Sequence, residues 1–194
     1  RRRVFCSSMC DIFEDHATID AERSKLWALI AATPWLDWQL LTKRADRMHD
    51  KCKSMKPFPN VWLGVSCEDQ ATYDERWPNL AQTPAAIRFL SLEPLIAPID
   101  LCLGVWSAGT GPDWVIIGGE SGPRARPCNV AWIRGVIAQC REARVACFIK
   151  QLGANAGTLL PAHDGTWEPF PTKHSKGGDP SEWPADLRVR EFPK

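Results

Sequence analysis

The sequence predicts an α/β fold: a parallel sheet of about six strands alternating with helices. Two observations carry it. Six short, nearly continuous apolar runs punctuate the first 150 residues, as suits strands covered on both faces. Between them lie helical stripes, giving strand-plus-helix units of roughly 24 to 33 residues, the signature of right-handed βαβ crossovers. Six such units form either an open doubly wound sheet or part of a (β/α) barrel.

The elements follow in order. The first strand is Val4-Phe5-Cys6. Ile19, Leu26, Leu29 and Ile30 share the face of the first helix, with Thr18 placed to cap it. Trp38 to Leu41 is the second strand, followed by a stripe of Ala45, Met48, Cys52 and Met55. Val61 to Val65 is the third strand, and Tyr73, Trp77, Leu80 and Ala81 mark a helix that Pro78 should kink or interrupt. Ile87 to Leu90 is the fourth strand. From Pro94 to Pro112 the pattern loosens into loop around a short run, Leu101 to Val105. Trp114 to Ile117 is the fifth strand. Val130, Ile133, Val136, Ile137 and Cys140 give the cleanest helix, with Asn129 at its N-cap, and Cys147 to Ile149 is the sixth strand. The pattern then stops. Residues 1–153 read as the barrel-like domain and 154–194, rich in Pro and Gly, as an extended arm packed on it through Trp167 and Trp183.

Composition narrows the class of protein. With 194 residues, 44% hydrophobic and 24% charged, the chain suits a globular core and not a disordered, collagen-like or coiled-coil protein. No apolar run approaches the ~20 residues of a membrane helix. Twenty-four basic and 23 acidic residues give a net charge of +1, so a large basic nucleic-acid footprint is not the default. The eight Cys are scattered without a C-x-x-C. That pattern fits reduced, mostly buried thiols of a cytoplasmic protein. The start, Arg1-Arg2-Arg3 running straight into a strand, suggests the remainder of a longer protein.

In parallel α/β folds ligands bind at the carboxyl ends of the strands. Here each apolar run is followed by polar groups: Ser7 to Asp11, Thr42-Lys43-Arg44, Ser66-Cys67-Glu68-Asp69, Ser91-Leu92-Glu93-Pro94, Gly118-Gly119-Glu120-Ser121-Gly122, and Lys150-Gln151. Each has a plain alternative. Glu68 and Asp69 suit the N-terminus of the next helix. Lys43 and Arg44 fit a solvated first turn as well as an anion site. Glu93 precedes a proline, which biases it to extended backbone and makes it an extended carboxylate beyond a buried strand. Lys150 is suited to pair with Glu93 or Glu120. The Gly118–Gly122 stretch lets backbone approach a ligand closely, although a tight turn explains it too. It matches neither a P-loop nor a dinucleotide fingerprint. Cys6 and Cys10 are too few for an iron–sulfur cluster, and the four histidines lack zinc spacing, so no metal site is expected in this chain.

Several stretches together resemble one family. They are Ser8-Met9-x-Asp11-x-Phe13, Leu41-Thr42-Lys43-Arg44-x-x-Arg47-Met48, Asn60 to Ser66, Arg88 to Leu95, Asp113 to Gly122 and Phe148-x-Lys150-Gln151, with the tail from Gly177 to Phe192. They are similar to a phage- and prophage-associated family of unknown function that itself resembles radical S-adenosylmethionine proteins. The resemblance implies an incomplete TIM-like (β/α) barrel. It also implies a three-cysteine motif ahead of residue 4, which would bind a 4Fe–4S cluster carrying S-adenosylmethionine. That segment is absent here, so cluster and cofactor are expected only for the full-length protein. By the same resemblance Ser8, Asp11 and Ser66 would lie near the methionine and ribose, and Gly118 and Gly119 near the adenine or substrate.

Two readings of function follow. In the first, the protein is a radical-SAM-like enzyme acting on an unknown small-molecule or nucleic-acid-derived substrate. Glu93, Glu120 and Lys150 would be its catalytic side chains, with Lys43, Arg44 and Gln151 on the substrate. In the second, it is a non-catalytic module binding nucleic acid or a phage or host protein through Arg1–Arg3, Lys43, Arg44, Arg47, Arg124 and Arg126, with some of the ten Trp stacking on bases. No membrane partner is expected.

Overall fold

The computed structural model describes residues 1–6, 10–105, 110–160 and 166–194. All six expected strands form. They are β1 (Arg2–Cys6), β2 (Leu36–Thr42), β3 (Val61–Ser66), β4 (Ile87–Leu92), β5 (Trp114–Gly118) and, after a two-residue β6 (Cys128–Asn129), β7 (Ala146–Gln151). Four helices are described: α1 (Ala17–Ala32), α2 (Ala45–Cys52), α3 (Gln70–Gln82) and α4 (Val130–Ala143). The main sheet has the order β1-β2-β3-β4-β5-β7 and is parallel throughout. Spatial order follows chain order, so every crossover steps in one direction. A doubly wound sheet would reverse at a switch point, and that alternative is therefore overturned. The sheet curls into half a barrel.

Strand alternation sorts the side chains onto two faces. Leu40, Leu63, Val65, Leu90, Leu92, Val115, Ile117, Cys147 and Ile149 face the helices and share one core with Ile30, Met48, Trp77, Leu80, Ile133 and Val136. Each fully buried aliphatic side chain there contributes roughly 1.5–3 kcal/mol. Trp62, Phe89 and Trp114 form a second cluster on the concave face, with Leu41, Ile116 and Phe148 packed against it.

Helix ends are set by local chemistry. Asn129 caps α4 by accepting from the Ala131 N–H at 2.9 Å. Asp69 and Thr72 form a reciprocal capping box on α3. The α1 cap is His16, whose Nδ1 accepts from the Thr18 N–H, so Thr18 already lies inside the helix. Its hydroxyl is the standard signal, but the extended backbone that a cap requires falls two residues earlier. Helix α3 runs through Pro78 without interruption. Burial of Tyr73, Trp77 and Leu80 outweighs the ~3 kcal/mol that an interior proline costs. No helix is long and apolar enough to cross a membrane among the described residues.

Residues 154–194 are more structured than an extended arm. β8 (Ala156–Leu160) pairs with β6 in parallel and with β9 (Thr166–Pro169) antiparallel, making a small second sheet. Trp183 is fully buried, its indole N–H donating to the Gly177 carbonyl at 3.0 Å. Trp167 packs its ring over Gly157. The chain then returns along the outer edge of β7: the Ile149 N–H donates to Val189 O at 2.9 Å and the Glu191 N–H to Cys147 O at 2.8 Å. Phe192 crosses onto the concave face, with ring centroids 5.3 Å from Trp114 and 5.2 Å from Phe148. The Arg3 guanidinium of β1 sits 3.8 Å from the Phe192 ring centroid. Tail and first strand thereby meet across the amino-terminal end of the half-barrel.

Candidate functional site

The opposite, carboxyl-terminal end of the half-barrel collects the polar groups. By register Ser66, Ser91, Ile116 and Phe148 form one level of the concave face. Glu93, Gly118 and Lys150 lie just beyond it. The Lys150 Nζ is 2.8 Å from Glu93 Oε2, and the Ser91 hydroxyl donates to Glu93 Oε1 at 3.2 Å. The Glu93 side chain is 17% exposed and that of Lys150 58%. Behind the carboxylate lies the Gly118 Cα; a β-carbon there would come within 2.9 Å of Glu93 Oε2. The peptide bond from Glu93 to Pro94 is cis. Glu93 is thus held on three sides, with Lys150 its solvent-facing partner.

The neighbouring strand ends carry further pairs. Glu68, buried after β3, lies between Lys43 from the end of β2 and Arg76 of α3, the latter at 2.9 Å. Arg76 also donates to the Ser66 carbonyl. After β1, Asp11 accepts from the Thr42 hydroxyl at 2.7 Å and from Arg44 at 2.8 Å. Arg44 reaches Glu14 as well, at 3.2 Å. The Asp11 contact, with help from Glu14 and Asp46, raises the Arg44 pKa above its usual value.

Glu120 stands apart. Arg126 clasps it with Nε at 2.8 Å, Nη2 at 3.0 Å and its own backbone N–H at 2.8 Å. These bonds pull the carboxyl down to about 2, so Glu120 is a fixed anion at neutral pH. Gly119 and Gln151 form the seam between β5 and β7. The Gly119 N–H donates to Gln151 O, and the Gln151 side-chain amide returns a bond to Gly119 O at 2.8 Å. Ser8 lies outside the described residues.

The residues expected at the site therefore fall into groups. Ser66, Glu93, Gly118 and Lys150 meet on the concave face; Gly119, Glu120 and Gln151 line its β5–β7 margin. Lys43 is drawn to Glu68, and Asp11 and Arg44 to each other. Sequence reading did not single out Ser91 as the hydroxyl donating to Glu93, and missed Arg76 and Arg126 as the arginines on Glu68 and Glu120. For Ser91 a signal existed, because in β4 it is two residues before Glu93 and shares its face. Arg76 and Arg126 reach back over eight and six residues of helix or coil, where no spacing rule points to a pair. Cys6 ends β1 half-buried and Cys10 is exposed. Among the described residues no three His, Cys, Asp or Glu side chains converge as a metal-ligand set.

Fold and site together define an α/β half-barrel protein, singly wound, with its polar groups gathered at the carboxyl mouth of the sheet. A family model described as a protein of unknown function, DUF5131, matches residues 1–171, and the chain belongs to that family. The match establishes membership and assigns no activity. No curated protein and no solved structure matches the chain.

Proposed function

We propose that the protein is the half-barrel body of a radical S-adenosylmethionine-type enzyme whose reacting centre is the mouth beside Glu93 and Lys150. The observation that carries this reading is the delivery of Glu93 and Lys150, 2.8 Å apart, to the concave face by strands wound in a single direction. Parallel β/α architectures place active sites at that end. Among the described residues no three His, Cys, Asp or Glu side chains converge as a cluster-ligand set. Under the proposal the cluster ligands come from sequence ahead of β1, and no step is assigned to this chain's cysteines. Its residues bind and orient. Lys150 offers donors to a substrate, Glu93 accepts from it, and the clasped Glu120–Arg126 pair fixes the loop beside them.

The reading as a nucleic-acid or partner-binding module is less favoured, because Lys43, Arg44, Arg47 and Arg126 each already face a carboxylate. Anaerobic reconstitution of the full-length natural protein with iron and sulfide tests the proposal. The expected result is the visible absorbance of a 4Fe–4S cluster and reductive cleavage of S-adenosylmethionine to 5′-deoxyadenosine. A protein that takes up no cluster and leaves S-adenosylmethionine intact refutes it.

A further inference from the structure

We infer that the mouth recognises a planar heterocycle through a cis-amide edge, an N–H beside a C=O, with Glu93 accepting from the N–H and Lys150 donating to the C=O. This deepens the proposed function by naming a substrate class, and it rests on that reading only for the location of the site.

The argument starts from what the Glu93–Lys150 pair repels. A free anion at Lys150 meets the Glu93 carboxylate 2.8 Å away, and a cation at Glu93 meets the Lys150 ammonium. Neither net charge is welcome. A neutral edge presenting a donor beside an acceptor satisfies both groups at once and preserves their attraction. Both retain capacity for it: an ammonium has three donors and a carboxylate about four acceptor sites, and the described contacts use one donor of Lys150 and two sites of Glu93.

The surface beneath the pair fits a flat apolar body. Ile116 and Phe148, one level below Glu93 and Lys150, are half-buried on the concave face, where Phe148 also meets Phe192 at 5.2 Å between ring centroids and the Arg190 guanidinium at 5.1 Å. A ring lying on Ile116 beside Phe148 gains dispersion contact, and the buried Ser91 side chain holds Glu93 in place behind it. An apolar floor with one donor–acceptor pair at its rim matches the composition of a small-molecule site. A nucleobase with a lactam or imide edge is the common biochemical ligand of that shape.

Uridine, which carries such an imide edge, is the probe, and N3-methyluridine, in which the N–H is blocked, is its matched control. Titration of the 194-residue chain, followed by NMR shift changes, should show saturable uridine binding. Methylation should weaken it about tenfold or more, the scale of one lost charge-assisted hydrogen bond. E93A and K150A, checked for folding by circular dichroism, should each weaken uridine by a similar factor and narrow its preference over the methylated analogue. Equal binding of the two nucleosides, no saturable uridine binding, or binding indifferent to both substitutions overturns the inference. So does binding that appears only with uridine 5′-monophosphate, since the phosphate would then carry recognition. Failure here with S-adenosylmethionine cleavage intact removes the substrate class alone; uridine binding without a cluster removes the radical reading alone.

Discussion

Adjacent glycines at the end of β5 should respond oppositely to the same substitution. A β-carbon on Gly118 meets only the flexible end of a side chain, Glu93 Oε2 at 2.9 Å, Cγ at 3.2 Å and Cδ at 3.3 Å. A β-carbon on Gly119 meets backbone, Leu152 O at 2.0 Å, Leu152 C at 2.7 Å and Gly153 Cα at 2.8 Å. In G118A the carboxylate must rotate, weakening the bond to Lys150. That pair is largely open to water on the lysine side, so its loss costs at most ~1 kcal/mol, and the stiffer unfolded chain returns ~0.4–1 kcal/mol. The net change in stability is close to zero while the geometry of the mouth is altered. In G119A the β5–β7 seam must open, because neither Leu152 nor Gly153 can rotate away and both are buried. Overpacking of this kind costs about 3 kcal/mol or more, which for a domain of this size lowers the Tm by ~6–12 °C. Thermal and urea unfolding measure both variants, and the Lys150 Nζ and Glu93 Cδ resonances report the ion pair. Equal destabilisation of the two variants, or an undisturbed Glu93–Lys150 pair in G118A, would show that Gly118 does not form the back wall of the site.

Three further outcomes follow from the same geometry. The Glu120 carboxyl should titrate near 2 by carbon-detected NMR and move back toward the ordinary 4.5 in R126A, since the Arg126 side-chain bonds are the largest cause of its depression. Because the folded value is the lower, stability from this pair is present above the unfolded pKa and fades as pH falls from 4.5 toward 2; an R126A spectrum with Glu120 unmoved contradicts the clasp. F192A should cost roughly 2 kcal/mol in urea unfolding, as the ring is 38% exposed yet packs on Trp114 and Phe148 and under Arg3; a loss below ~0.5 kcal/mol would deny the tail a part in the concave core. D69A should cost about 1 kcal/mol by removing the acceptor of the Thr72 N–H and hydroxyl, and D69N should recover most of it; if D69A unfolds like the parent protein, the capping box is not holding α3.

The strands were legible because parallel strands buried on both faces leave continuous apolar runs, and β3, buried at all six positions, is the clearest. Their order was not legible. Nothing in the runs distinguishes a sheet wound in one direction from one that reverses, since both bury the same residues; only the pairing of β1 with β2 and of β5 with β7 decides it. The β8–β9 hairpin escaped for a related reason. Its strands are only five and four residues long and lean on Trp167 over Gly157, a contact across the hairpin that alternation along one strand does not reveal. At the site, Glu93 and Lys150 were readable as strand-end groups suited to pairing. The choice of Lys150 by Glu93, and of Arg126 by Glu120, depends on how far the sheet has curled and where the loop after β5 turns. No local pattern encodes either.

Half a barrel leaves an energetic problem that the tail and the mouth divide between them. The concave face of a closed barrel is filled by layers of side chains from opposing strands; here that face carries Trp62, Phe89, Trp114 and Phe148 within a sheet of six strands. At the amino-terminal end Phe192 supplies the missing layer, and Arg3 closes over it from β1. Pairing of Val189 and Glu191 with β7 satisfies backbone groups that an open edge would expose. At the carboxyl end no described residue plays the part of Phe192. Ile116 stays half-buried beneath Glu93 and Lys150, and the polar groups are held by one another, at a rim where displacement of one contact by a ligand costs little. The same incomplete sheet is therefore stabilised at one end by its own tail and left at the other with an apolar floor under a neutral ion pair, which is the end where binding gains the most.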